Sequence, residues 1–417
     1  MPTIKLYDED AYMKEFTATV VSIEKNDKGQ AGIVLDRTAF FPEAGGQSAD
    51  VGELGDFKVV DVQINGAGVI THFCVPKNAP ADGGQGSGAQ GSLSDSFSPE
   101  NGTALPAVGE AVRGAIDWER RHTLMQHHTG EHLFSGIVHR DFGYDNVGFH
   151  LSDHICTMDY NGTLSEADVA RIETECNEWI YKNAVISCDY PDDAALAGLD
   201  YRCKGELVPP IRIVTIAGAD VCACCAPHVH TTGEIGTLKV LEAKSYKGGI
   251  RLTIVCGRKA FADYRNRFRL LAEASHLLSS HYENLPERIL RLQDEKYALK
   301  AKISSLQEER LRQLIANATG EDSLFFVEDV DTKSIRSAVN ALMDTHSGLC
   351  GIFCGNDPDG YSFILGSAVR NMQDTASLLR QELKAKCGGS EKMIQGQVHT
   401  KREAIERLLA EASAFST

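Results

Sequence analysis

The sequence lacks any long apolar run. None of its 417 residues belong to a stretch approaching the about 20 consecutive apolar residues that a membrane-spanning helix needs. The first residues, Met1-Pro2-Thr3-Ile4-Lys5, hold no apolar signal core, so a cytoplasmic location and no membrane partner are expected. Cysteine is sparse and irregularly spaced: 12 in the whole chain, a pattern that speaks for reduced thiols and against a disulfide framework. An excess of basic residues is also missing. Lys and Arg total 42 against 58 Asp and Glu, and the net charge of −16 argues against a dedicated nucleic-acid coat. What is present is ordinary for a soluble protein with ample core, 42% hydrophobic and 24% charged residues, and the length fits two to four domains.

The chemistry concentrates in His128-Thr129-Gly130-Glu131-His132. Residues 121–140 read as a helix, with Leu124, His128, His132 and Ser135 at three- and four-residue spacing, so both imidazoles project from one face. Two imidazoles on one helical turn make half of a zinc site. The stretch Cys222-Ala223-Cys224-Cys225-Ala226-Pro227-His228 offers a thiolate and an imidazole, again four apart. Together His128, His132, Cys224 and His228 would hold one zinc ion per chain, with Cys222 and Cys225 as competing thiols. A rival pattern fits the same helix: His128, Glu131 and His132 match the inverted zinc-protease motif H-x-x-E-H, with Glu131 as general base.

The fold class read from the chain is α+β. Residues 16–24, 32–35 and 57–62 have strand character separated by Gly and Asp, and a strand at 111–117 rejoins them, giving an N-terminal β-barrel over 1–117. A low-complexity Gly-rich insertion near 83–92 reads as a surface loop. Residues 118–257 mix helices at 121–140 and 165–183 with strands at 184–190, 211–216, 236–243 and 251–256. Residues 258–320 are a helical connector that Pro286 breaks in two. Beyond Pro286, Leu285, Ile289, Leu292, Leu299, Ile303 and Leu306 fall on a coiled-coil-like repeat; self-packing, pairing between subunits and packing on another domain stay open. Residues 321–417 read as a C-terminal α/β domain, with Cys387-Gly388-Gly389-Ser390 as a Gly-rich loop between two helices, able to offer amides to a phosphate or to act only as a turn. Between Lys239 and Arg269 nine basic residues face two acidic ones, a positive strip or a solvated face in an acidic chain.

Three motifs in order resemble the alanyl-tRNA editing proteins, free-standing relatives of the editing domain of alanyl-tRNA synthetase. They are Leu35-Asp36-Arg37-Thr38 running through Gly45-Gly46-Gln47, the H-x-x-x-H of His128 and His132, and Cys224 to His228 followed by Thr232-Gly233-Glu234-Ile235-Gly236. The resemblance covers about residues 1–260; the remainder looks like the connector and C-terminal domain of the long subclass, a domain shared with alanyl-tRNA synthetase. Two departures stand out: Ala44 occupies a position where the family commonly has glycine, and Cys225-Ala226-Pro227 replaces its Gly-Gly-Thr.

The resemblance implies a zinc-binding editing domain at 118–257 and zinc-dependent hydrolysis of the ester on tRNA(Ala) mischarged with serine or glycine. An alanine pocket rejects these two amino acids weakly, since they differ from alanine by one hydroxyl or one methyl. It further implies that Thr38 meets the seryl hydroxyl and that the backbone of Gly45, Gly46 and Gln47 cradles the amino acid and terminal adenosine. The RNA would lie along Lys247, Arg251, Arg258 and Lys259 and the glycines Gly388 and Gly389. Glu131 has no required role in this reading, and zinc has two open roles, activating a water or orienting the substrate. A homodimer through the connector or the C-terminal domain is the assembly the pattern allows. Two alternatives stand beside it: the inverted-motif protease using Glu131, and a non-catalytic RNA-binding protein with structural zinc.

Overall fold

The computed structural model describes residues 1–25, 30–77, 104–153, 155–203 and 209–414. The Gly-rich insertion expected near residues 83–92 lies outside the described residues. The chain divides into two compact units, Met1–Leu270 and Leu271–Thr417.

The first unit opens with a closed six-stranded barrel. Its strands run in the order Glu15–Lys25, Ala31–Leu35, Ile70–Pro76, Phe57–Ile64, Gly52–Leu54 and Ala111–Ile116, and the last pairs back with the first. Phe16, Ala18 and Val20 fill the interior with Ile33, Leu35, Val59, Val62, Ile70 and Cys74, and along residues 15–20 and 57–60 the intervening residues face out. The strand beyond the insertion does return to close the barrel, and closure removes the sheet edges.

One polar group is sealed inside this core. His72 is fully buried, with Nδ1 2.9 Å from the Ile33 carbonyl and Nε2 2.8 Å from Thr38 Oγ1. Thr38 Oγ1 in turn accepts from the Phe40 amide at 3.1 Å. The pattern is complete only for a neutral ring that donates from Nδ1 and accepts at Nε2. Burial pushes the His72 pKa down from 6.5 to about 4, against the pull of the Ile33 carbonyl. The unfolded chain therefore takes up a proton below pH 6.5 that the folded barrel refuses. Stability is expected to fall as pH drops from about 6.5 to about 4, by on the order of 3 kcal/mol for this residue. Thermal melts across that range check it; an equally steep slope in His72→Gln would contradict it.

The barrel leads into a helix, Trp118–Phe142, capped by the Asp117 side chain on the Arg120 amide (3.0 Å) and ended by Gly143 in the left-handed region. Protein surrounds this helix on all sides. It packs against the helix Glu166–Lys182, the strand Gly249–Cys256, the strand Asp220–Ala223 and the short turn of helix Thr232–Ile235. The strand Gly249–Cys256 belongs to an antiparallel sheet ordered Leu238–Tyr246, Gly249–Cys256, Cys156–Tyr160, Asn146–Leu151. A second antiparallel sheet contains Ile186–Asp189, Ile213–Ile216 and Asp220–Ala223. A capping box opens the helix Glu166–Lys182, with Ser165 and Asp168 bonding reciprocally.

The helix Gly257–Leu277 carries the chain out of this unit, and Leu285–Ala316 follows with Pro286 in its first turn. Leu290, Leu299, Ile303 and Leu306 are exposed on the second helix. Its far end behaves differently: Leu311 is buried with Ile335, Val339 and Ile352. The C-terminal sheet has the order Ser323–Val327, Cys350–Asn356, Gly360–Gly366, Met393–Val398, Lys386–Gly389. Its first pair is parallel and the others antiparallel. Here the structure corrects the expected loop at Gly388 and Gly389. Both glycines lie in an edge strand, Gly388 opposite Gln395 and Gly389 opposite Ile394. Pairing with the neighbouring strand engages half of the amides that a loop would have offered.

Candidate metal centre

The helix Trp118–Phe142 is unusual in what it buries. Thr123, Gln126, His127, His128, Thr129, Glu131, His132 and Ser135 are all inside, interleaved with Leu124, Met125, Leu133 and Phe134. Such a helix has polar work on more than one side. His128 and His132 share the face directed at the loop after the strand Asp220–Ala223, which contributes Cys224 and His228.

Four donor atoms, one each from His128, His132, Cys224 and His228, lie within 4.8 Å of one another. Cys224 Sγ is 3.6 Å from His128 Nε2 and 3.4 Å from His228 Nε2. Zinc with nitrogens at about 2.0–2.1 Å and sulfur at about 2.3 Å implies tetrahedral N···S edges of roughly 3.6 Å. The two N···S separations match that edge, and three imidazoles with one thiol suit zinc by softness as well.

The opposite side of each ring is held. His128 Nδ1 lies 2.6 Å from Gln47 Oε1, His132 Nδ1 3.0 Å from Asp220 Oδ2, and His228 Nδ1 3.1 Å from Thr129 Oγ1. Thr129 donates its own hydrogen to the Met125 carbonyl at 2.8 Å, so it accepts from His228. In each case the proton sits on Nδ1 and the lone pair on Nε2, which fixes both tautomer and ring orientation. Asp220 is anchored by Arg202 at 2.7 and 2.9 Å. Burial pushes the Asp220 carboxyl up, but the bond from His132 and the charge and bonds of Arg202 outweigh it and hold it below the usual range. Burial drives His228 far below its usual pKa, helped by His132 and His128, and drives the Cys224 thiol up. A neutral His228 and a protonated Cys224 thiol result, and the site gains by receiving a cation and losing the thiol proton. Gln47, Thr129, Asp220 and Arg202 were not singled out in these roles by the sequence; their separations from the ligands, such as 81 residues for Gln47, leave no local spacing to read.

Beside the donors opens a cavity of about 300 Å³ lined by Lys5, Ala44, Gly45, Glu131, Arg212 and Cys225 among others. The structure corrects several expected placements. Of the Gly-Gly turn, Gly45 faces this space, with positive φ and nothing where a side chain would begin. Gly46 instead packs on the Phe149 backbone, where a Cβ would stand 2.4 Å from the carbonyl oxygen, and Gln47 is fully buried behind His128. Thr38 is fully buried, and its hydroxyl is engaged with His72 in the barrel. Cys222 clusters with His132 and Asp220 and Cys225 is exposed, so Cys224 is the thiol that joins the three imidazoles. Glu131 is buried; its Oε1 accepts from Ser135 (2.7 Å) and Asn146 (2.5 Å), and its Oε2 is 3.9 Å from His132 Nε2.

Three of the nine basic residues in the positive strip meet acids from other segments. Arg251 makes two 2.6 Å bonds to Asp159 and lies over Tyr246, Lys239 pairs with Glu173, and Arg258 lies 3.8 Å from Glu119. Arg251 is thus corrected from a phosphate contact to a sheet ion pair. Lys247 sits at the hairpin turn between Leu238–Tyr246 and Gly249–Cys256, and Lys259 lies beside a separate cavity with Arg120 and Asp153.

Comparison with known proteins agrees with the geometry. The family described as "Threonyl and Alanyl tRNA synthetase second additional domain" matches residues 211–253, and "tRNA synthetases class II (A)" matches residues 6–86. The chain is 33% identical over 357 residues to an alanine–tRNA ligase of Ignicoccus hospitalis, covering 82% of this chain and 36% of that one. It is 29% identical to the ligase of Pyrococcus abyssi, covering 98% of this chain and 43% of that one. It is 27% identical to the alanyl-tRNA editing protein AlaX-L of Pyrococcus horikoshii, covering 96% of both. The chain thus spans less than half the length of those ligases and nearly the whole of the editing protein.

Proposed function

The chain is homologous to the alanyl-tRNA editing proteins, and on that premise we propose that it is a trans-editing hydrolase. Its substrate is tRNA(Ala) mischarged with serine or glycine, and it releases the amino acid by cleaving the ester. The observation that carries this reading is the convergence of one thiol and three imidazoles, their donor atoms within 4.8 Å of one another, beside a cavity.

In this proposal His128, His132, Cys224 and His228 hold one zinc ion. When bound, that ion supplies Lewis-acid polarisation at the cavity wall. The chain's own residues do the rest. Gln47, Asp220 and Thr129 keep the three rings aimed, so that a small shift in the ester's position is not absorbed by the ligands. Gly45 lets the substrate approach backbone at the one part of the Gly-Gly turn that is open. Thr38 enters only as a residue that would meet a seryl hydroxyl after releasing His72. Lys247 and Lys259 are proposed RNA contacts. The C-terminal unit is proposed to hold the body of the tRNA, in the cytoplasm. The exposed apolar positions Leu290, Leu299, Ile303 and Leu306 support a homodimer through the connector. No helix among the described residues is long and apolar enough to cross a membrane.

The position of Glu131 at the cavity keeps the protease reading specific enough to test. Glu131→Gln preserves the acceptor that Ser135 and Asn146 use, so the fold is expected to survive. Hydrolysis of Ser-tRNA(Ala) by this variant is expected to stay within about ten-fold of wild type, whereas loss of a general base costs about 10²–10⁴-fold. Protein cleavage by the wild type that vanishes in Glu131→Gln, with Ser-tRNA(Ala) untouched by either, would establish the protease instead.

A further inference from the structure

The cavity beside the metal ligands has a second wall, with a chemistry that the ligands do not account for. Arg212 and Lys5 line it, one entering the strand Ile213–Ile216 and the other ending the short strand Ile4–Lys5. Arg212 is only 6% exposed. Its Nη1 donates to the carbonyls of Cys224 (3.1 Å) and Ala226 (2.8 Å), which pins the ligand loop. Its Nε is buried and has no acceptor. Neither Arg212 nor Lys5 forms an ion pair among the described residues. The other guanidinium at the cavity, Arg202, is engaged by Asp220. Asp8, whose carboxylate feels both charges, takes the Tyr190 hydroxyl at 3.0 Å and pairs with neither.

Among the described residues no carboxylate pairs with this guanidinium and no acceptor meets its Nε–H, an arrangement that is costly unless a further partner completes it. Two cations on one wall select an anion, and a guanidinium with a free Nε–H is suited to a phosphate oxygen. Glu131 and the metal ligands line the same cavity, so an anion is drawn to Lys5 and Arg212 and away from the Glu131 carboxylate. The cavity, about 300 Å³, is at the small end of ligand sites, room for the end of a strand rather than a folded stem. We propose that Lys5 and Arg212 form a phosphate subsite, which takes the phosphodiester immediately preceding the nucleotide that bears the ester. The subsite anchors the strand end by its charge and leaves the ester to reach the metal ligands. It rests on the reading of the substrate as an aminoacyl ester on a nucleic acid, and it extends that reading to a specific backbone contact.

The test is titration calorimetry of the zinc-loaded full chain with adenosine, adenosine 5′-monophosphate and inorganic phosphate. The monophosphate is expected to bind roughly ten-fold tighter than adenosine, and tighter than inorganic phosphate. Lys5→Ala should remove most of that preference at unchanged metal content. Arg212→Lys keeps the charge but not the fork, and should reduce it. Should the Arg212 variant fail to fold, Lys5→Ala decides alone. Equal binding of adenosine and its monophosphate, a full preference in Lys5→Ala, or inorganic phosphate binding as tightly as the monophosphate would each overturn the subsite. A chain that prefers the monophosphate but leaves Ser-tRNA(Ala) intact keeps the phosphate subsite and loses the editing function.

Discussion

Replacing His132 and Cys224 together by alanine is expected to leave the chain without bound metal and to lower deacylation of Ser-tRNA(Ala) by more than about a hundred-fold. Loss of partners that merely orient a ligand costs about 10–100-fold in affinity or activity, and loss of two ligands should exceed that. The two residues come from different elements, the helix Trp118–Phe142 and the loop after the strand Asp220–Ala223. Their joint removal leaves His128 and His228, too few for a closed tetrahedral site. Asp220→Asn should show a milder version. It still accepts from His132 Nδ1 but no longer carries the charge opposite Arg202. Metal analysis of the purified variants, with circular dichroism to confirm folding, checks the assignment. Full metal content in a folded double variant would remove these residues as ligands.

Arg121→Ala should destabilise the first unit by about 3–5 kcal/mol, the cost of leaving a buried charge without its partner. Arg121 has no exposed surface. It donates from Nε to both oxygens of Asp50 (3.0 and 2.9 Å), from Nη1 to the Ala11 carbonyl (3.1 Å), and from Nη2 to the Ala39 carbonyl (2.6 Å) and Asp50. Asp50 also accepts from the Phe41 amide at 2.7 Å. One side chain thereby ties the start of the His-bearing helix to the barrel segment that carries the Gly-Gly turn. The melting temperature should fall by roughly 10 °C. Replacing the pair by apolar residues, Arg121→Met with Asp50→Leu, should recover much of the loss, since no charge is then stranded. A double variant as unstable as Arg121→Ala would show that the carbonyl bonds, and not the ion pair, carry the effect.

The parts of the fold legible in the sequence are those with a local period. The barrel strands Glu15–Lys25 and Phe57–Ile64 alternate, Ala31–Leu35 is a short apolar run, and the helix Glu166–Lys182 has an apolar face and a box of caps. The two i, i+4 pairs marked four candidate donors by spacing, and the structure brings their donor atoms together. The strands Asn146–Leu151 and Cys156–Tyr160 were not legible. They are short, and His150 and Asp159 interrupt their apolar character. The burial of the helix Trp118–Phe142 on all sides was hidden because polar and apolar residues share every face, with no stripe to follow. Charge counted along the chain does not show partners that arrive from elsewhere, such as Asp159 beside Arg251 and Glu173 beside Lys239. The Gly388 and Gly389 stretch misled for a related reason: glycine marks a loop by composition, yet an edge strand accepts it.

The most direct measurement of the central claim is the release of amino acid from Ser-tRNA(Ala) and Ala-tRNA(Ala), run with the metal-loaded chain, after chelation, and after zinc is restored. The account predicts release of serine, sparing of Ala-tRNA(Ala), loss of activity on chelation and recovery with zinc. An unchanged rate in metal-free protein, or equal release from both tRNAs, would contradict it.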